Sequence, residues 1–86
     1  MTYSQQAVID GNIAKLHEGD LLGIIIGNET TGEDIINLFG SFQGMANQPL
    51  EKLTRFKGMG DANAIRIAAT FEIAKRIVEQ VLTARD

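Results

Sequence analysis

The chain has 86 residues, 44% of them hydrophobic, no cysteine, one histidine (His17) and a formal net charge of −3. That describes one small domain, residues 1–86, with just enough apolar material for a core, and excludes disulfides, thiolate metal sites and thiol nucleophiles. No apolar run approaches the roughly 18 residues of a membrane span, and Met1-Thr-Tyr-Ser-Gln-Gln6 lacks signal-peptide features, so a cytoplasmic protein without a membrane partner is expected.

The opening stretch Ser4-Gln-Gln-Ala-Val-Ile-Asp-Gly-Asn-Ile-Ala-Lys-Leu16 reads as a helix weakened by Gly11. Leu21-Leu-Gly-Ile-Ile-Ile-Gly27 suits a buried strand or a helix equally by pattern. No second strand-like run exists to pair with it, and a lone strand is not stable, which decides for helix. Gly32-Glu-Asp-Ile-Ile-Asn-Leu-Phe-Gly-Ser-Phe42 predicts a short helix ending near Gly40. Gln48-Pro-Leu-Glu-Lys-Leu-Thr-Arg-Phe56 predicts another, with Pro49 at its first position, where a missing N–H is harmless.

The last element is the clearest. From Ala64 on, apolar residues recur at Ile67, Ala68, Phe71, Ala74, Val78, Val81 and Leu82, the spacing of an amphipathic helix over about 62–82. Asp61 is its expected N-cap. Glu72 with Arg76, and Lys75 with Glu79, stand four apart and are expected to pair on the wet face. The chain therefore reads as all-α, four to five short helices joined by glycine corners. A faint repeat, matching Gly32 to Gly60, sets Ile36 against Ala64 and Phe39 against Ile67.

The glycine corners invite comparison with phosphate loops. Gly58-Met59-Gly60 is not a dinucleotide fingerprint, because the third glycine would fall at Asn63 and no strand precedes it. Gly27-Asn-Glu-Thr-Thr-Gly32 follows an apolar run like a nucleotide-triphosphate loop. Yet Glu33 and Asp34 stand where a lysine and a hydroxyl are required, and two carboxylates there repel phosphate. Both readings fail.

A helix-hairpin-helix pattern fits better: Leu53, Phe56, Gly58, Met59, Gly60, Ala64 and Ile67 match it in order. Gly58 and Gly60 are expected at positive φ, Met59 plugs the gap between helices, and Ala64 is small where the helices cross. Such a turn presents backbone amides outward, a seat for a phosphate. Charge supports that side of the chain. Residues 1–50 carry one base against six acids, whereas residues 51–86 carry seven bases against five acids. The candidate phosphate-binding set is Arg55, Lys57, Gly58, Met59, Gly60 and Arg66, with Lys52 nearby and Asp61 opposing. The alternative is a hairpin that only joins helices, in a module that recognises protein.

Taken together the segments resemble the N-terminal helix-hairpin-helix domain, RuvA domain 2-like in type, of the bacterial DNA repair protein RadC family, the UPF0758 group. "AKLHEGDLLGIII" stands where that family has a Leu-Ser-Asp-Ala-Glu-Leu-Leu type of segment, and "FGSFQGM" matches its Phe-Gly-Gly-Leu-x-Gly-Leu. "LEKLTRFKGMGDANAIRIAATFEIAKR" matches its hairpin and final helix. The resemblance implies a degenerate first hairpin at about 21–39, a second at about 49–82, and weak contact with double-stranded or branched DNA. Departures are a shorter third helix, His17 in place of a capping serine, and a loop 27–33 in which the family's bases are neutral or acidic. The family's second, C-terminal domain, metallopeptidase-like with a His-x-His…Asp zinc site, has no counterpart here. The expectation is a chain with no enzymatic activity, metal or cofactor, whose other partner would be a protein or that missing domain.

Overall fold

The computed structural model describes residues 1–84, and every regular element among them is helical. In order these are α1 (Tyr3–Ile9), a 3₁₀ turn (Ile13–Lys15), α2 (Glu18–Ile26), α3 (Glu29–Phe39), α4 (Phe42–Ala46), α5 (Leu50–Leu53) and α6 (Asp61–Ala84). The all-α class stands, with six α-helices rather than four or five. The additional one is α4, started by Ser41, whose hydroxyl accepts from the Gly44 amide at 3.1 Å. Glu18 joins it to α2, its carboxylate accepting from the Phe42 amide at 3.2 Å.

Local chemistry explains most boundaries. Thr2 and Gln5 exchange side chain-to-backbone hydrogen bonds of 3.2 and 2.9 Å, a capping box that starts α1. Gly11, at φ +79°, separates α1 from the 3₁₀ turn, so the expected single helix over 4–16 is broken. His17 is the exposed N-cap of α2, its amide donating to Asp20 at 3.0 Å. The branched run 24–26 is helical, as the missing strand partner required. Pro49 sits one position earlier than expected, as the N-cap of α5, and the Lys52 amide donates to its carbonyl.

The core gathers Leu22, Ile26, Ile35, Met45, Leu53, Met59, Ala64 and Ile67, all buried. Phe39 packs edge-on against Phe56, and Phe42 against Phe71, with centroids 6.2 and 6.4 Å apart. The tightest packing lies between α2 and α3. A Cβ on Gly32 would lie 2.5 Å from the Gly23 nitrogen and 2.6 Å from the Gly19 carbonyl oxygen. One on Gly23 would lie 2.8 Å from the Glu29 Cα. The two helices thus meet backbone to backbone, and Gly32 belongs inside α3 rather than at a corner.

That position changes the register of the repeat. The helix starts match when Asn28 is set against Gly60, each the residue before its helix. Gly32 then faces Ala64, Ile35 faces Ile67 and Phe39 faces Phe71, and the burial classes agree at each pair. Before the turns, Leu22 corresponds to Leu53, Ile25 to Phe56 and Gly27 to Gly58. Both of those glycines take a left-handed conformation, at φ +76° and +85°. Met59 is the one extra residue of the second unit. The match of Gly32 to Gly60 is therefore out by four residues, because it equated a helix-crossing glycine with a helix-start glycine.

Candidate nucleic-acid interface

The second unit runs from α5 through the turn 54–60 into α6. Its first glycine carries the conformational demand: Gly58 is at φ +85°, whereas Gly60 is not at positive φ. A Cβ on Gly60 would meet nothing within 4 Å, so the expectation of a strained Gly60 is corrected. Asp61 is likewise not the cap. It is the first residue of α6, and the Ala64 amide donates to the Gly60 carbonyl at 3.1 Å.

The turn is braced from both sides. Thr31, buried on the first turn of α3, donates its hydroxyl to the Lys57 carbonyl at 2.7 Å. Asn28 caps α3 through the Thr31 amide, and the side chains of both residues border the space beside Gly58. From the other side, the Asn63 amide nitrogen donates to the Gly58 carbonyl at 3.1 Å, while Arg66 donates to the Asn63 oxygen at 3.2 Å. Asn28, Thr31 and Asn63 were not in the sequence-predicted set. Asn63, three residues past the second glycine, had a readable signal, since its side chain can reach back over a turn. Thr31 had none, lying 26 residues from its acceptor.

The predicted residues separate into three groups. Lys57, Gly58 and Gly60 are exposed together at the turn. The amides of Gly58, Gly60, Asp61 and Ala62 find no protein acceptor among the described residues. Arg66 is exposed one turn into α6 and held toward the hairpin through Asn63. Met59 points the other way. It is buried in the core, and its amide donates to the Phe56 carbonyl at 3.0 Å, so it acts as a plug and offers a phosphate nothing. Arg55 and Lys52 border a different feature, a groove of about 540 Å³ between the ends of α3 and α5, floored by Leu38, Phe39 and Phe56. Four of the six predicted residues thus share the turn and the start of α6.

Asp61, exposed in the first turn of α6, places a carboxylate beside the same amides and opposes an anion there. Among the described residues no group of three His, Cys, Asp or Glu side chains is arranged to hold a metal ion. No described helix is long and apolar enough to cross a membrane.

Comparison with curated proteins finds UPF0758 relatives over most of the chain. A UPF0758 protein of Coprothermobacter proteolyticus is 41% identical over 71 residues, covering 74% of this chain and 30% of its own length. The chain belongs to the UPF0758 family. A UPF0758 protein of Pelodictyon phaeoclathratiforme is 33% identical over 79 residues, 85% of this chain, and one of Clostridium acetobutylicum is 38% identical over 68 residues, 71% of this chain. The chain spans 30 to 36% of the length of these UPF0758 relatives. No family model and no solved structure matches it.

Proposed function

We propose that this UPF0758 chain is a non-catalytic helix-hairpin-helix domain of a RadC-like DNA repair protein, acting in the cytoplasm. It contacts the backbone of double-stranded or branched DNA weakly, without reading sequence, through the turn 57–60. The observation that carries this reading is the exposed set of free amides at Gly58, Gly60 and Ala62 beside Lys57, with Arg66 held nearby. Amides at a helix start with adjacent cations suit a phosphate. The turn is also anchored to the first unit through Thr31, so a bound phosphate would be met by a preformed shape.

The charge limits the strength. One turn with Lys57 and Arg66, opposed by Asp61, neutralises few phosphates. Affinity should fall by about 0.9 log units per contacted phosphate for each tenfold rise in salt, with a dissociation constant of about 10⁻⁴ M or weaker at physiological salt. Fluorescence anisotropy with short duplex and four-way-junction DNA across a salt series tests this. Lys57→Glu should remove most binding, while Glu29→Lys with Glu33→Lys should leave it intact or raise it. Equal binding by the Lys57 variant and the parent, or no salt-dependent binding by the parent, would sink the proposal.

A second reading is favoured by one observation, the long apolar face of α6 that no element among the described residues covers. Ile73, Ile77, Val78, Val81 and Leu82 are all at least half exposed. On this reading the domain is a protein-interaction module and the hairpin is structural.

A further inference from the structure

The groove between the ends of α3 and α5 joins two chemistries. Its floor is apolar: Leu38 is 67% exposed, and Phe39 and Phe56, edge-on to one another, are each half-buried. Its rim is basic: Lys52 and Arg55 line it, and no acidic residue does. At about 540 Å³ it is of the size that holds small ligands, ~300–1,000 Å³.

Neither cation is neutralised within the chain. Among the described residues Lys52 and Arg55 form no ion pair, and Lys52 donates only to the neutral Gln48 side chain, at 3.3 Å. Glu51, four residues before Arg55, lines a second cleft with Asp61 and Ile65. The segment thus sorts its charges, bases to one cleft and acids to the other. The fold does not require these bases. In the register of the repeat, Lys52 and Arg55 correspond to Leu21 and Ile24, which are half-buried in the first unit.

We infer that the groove holds an unpaired nucleotide of a DNA strand whose neighbouring phosphate sits on the turn 57–60. Its ligand must carry an anionic group and a flat apolar surface together. Duplex DNA keeps its bases stacked and paired, and offers the groove only sugar and phosphate. An unpaired nucleotide brings a base to the phenylalanines and a phosphate to Lys52 or Arg55, the combination by which single strands are held. Chain connectivity sets the two sites in series. Arg55 and Lys57 are two residues apart, so their Cα atoms lie within ~7.6 Å of each other. A strand seated on the turn therefore passes the groove with its next nucleotide. An acidic peptide with an apolar side chain also suits the groove, yet it does not account for the free amides of Gly58, Gly60 and Ala62 beside it. A continuing phosphate backbone does. The inference rests on the turn being a phosphate seat, and it makes the domain prefer unpaired DNA to perfect duplex.

The test is fluorescence anisotropy of the full chain with a labelled oligothymidylate, the same strand without bases, and a matched duplex. The parent should bind oligothymidylate about tenfold more tightly than either of the others, the gain from one stacked base. Lys52→Ala with Arg55→Ala, both at exposed positions, should weaken oligothymidylate binding about tenfold and leave duplex binding unchanged. Because the chain has no tryptophan, Leu38→Trp sets a single reporter in the groove. A stacked thymine should quench its emission, and the abasic strand should not. If the base-dependent gain or the quenching is missing while salt-dependent duplex binding survives, the turn stands and the groove inference falls. No salt-dependent binding to any of the three removes the turn as a phosphate seat, and this inference with it. An acidic, phenylalanine-bearing peptide that changes the emission when oligothymidylate does not assigns the groove to a protein and overturns the inference too.

Discussion

Gly58 and Gly60 look alike in the sequence and differ in what they do. Gly58 needs a left-handed backbone, and a β-carbon there would press to 3.3 Å on Asn28 and Thr31. Gly58→Ala should therefore cost about 1–2 kcal/mol, the penalty of an L-residue in that region. Gly60→Ala should stay within about 0.5 kcal/mol, like other exposed substitutions. Chemical denaturation of both variants checks this, and equal losses would mean the strain is misplaced. Thr31 is the other decisive single residue. Thr31→Val keeps the volume but removes the donor to the Lys57 carbonyl, leaving that group unsatisfied at a cost of about 1–3 kcal/mol. Because the contact braces the turn, amide hydrogen exchange should quicken at 57–60 more than elsewhere.

Between elements, the α2–α3 crossing depends on glycine as closely as the turn does. Gly32 and Gly23 place backbones so near that no β-carbon fits without moving a helix. Gly32→Ala should destabilise by roughly 1–3 kcal/mol or more, the usual cost of overpacking, although alanine is the better helix former. Ala64 takes the equivalent place in the second unit, where one methyl group is accommodated. The repeat is visible only in this register, since its glycines play two different parts. A thermal melt of Gly32→Ala at or above the parent Tm would show that the helices can separate freely.

On the scale of the whole molecule, the folded body ends well before α6 does. Residues 72–84 add about 20 Å of helix, of which only Ala74 lines the apolar groove between α2, α4 and α6. Ending the chain after Arg76 should leave the Tm within a few degrees, because core burial is complete at Phe71. A large loss would mean that the exposed apolar face stabilises the fold itself. The charge asymmetry belongs to this scale too. The first half of the sequence is acidic and the second half basic, and Lys57 belongs to the basic half.

The sequence by itself determined the all-α class, the length and rhythm of α6, the turn around Gly58 and the burial of Met59. These follow from local chemistry: period, glycine, and an apolar residue where two helices meet. It could not show that Gly32 lies within a helix crossing, that Thr31 braces a turn 26 residues away, or that Arg55 faces a groove apart from the hairpin. Nor could it show that the apolar face of α6 outruns its own core, since periodicity marks a face as apolar without saying what covers it. Those facts are set by which backbones approach in space. Local propensity carries no record of that, and only the packed arrangement decides it.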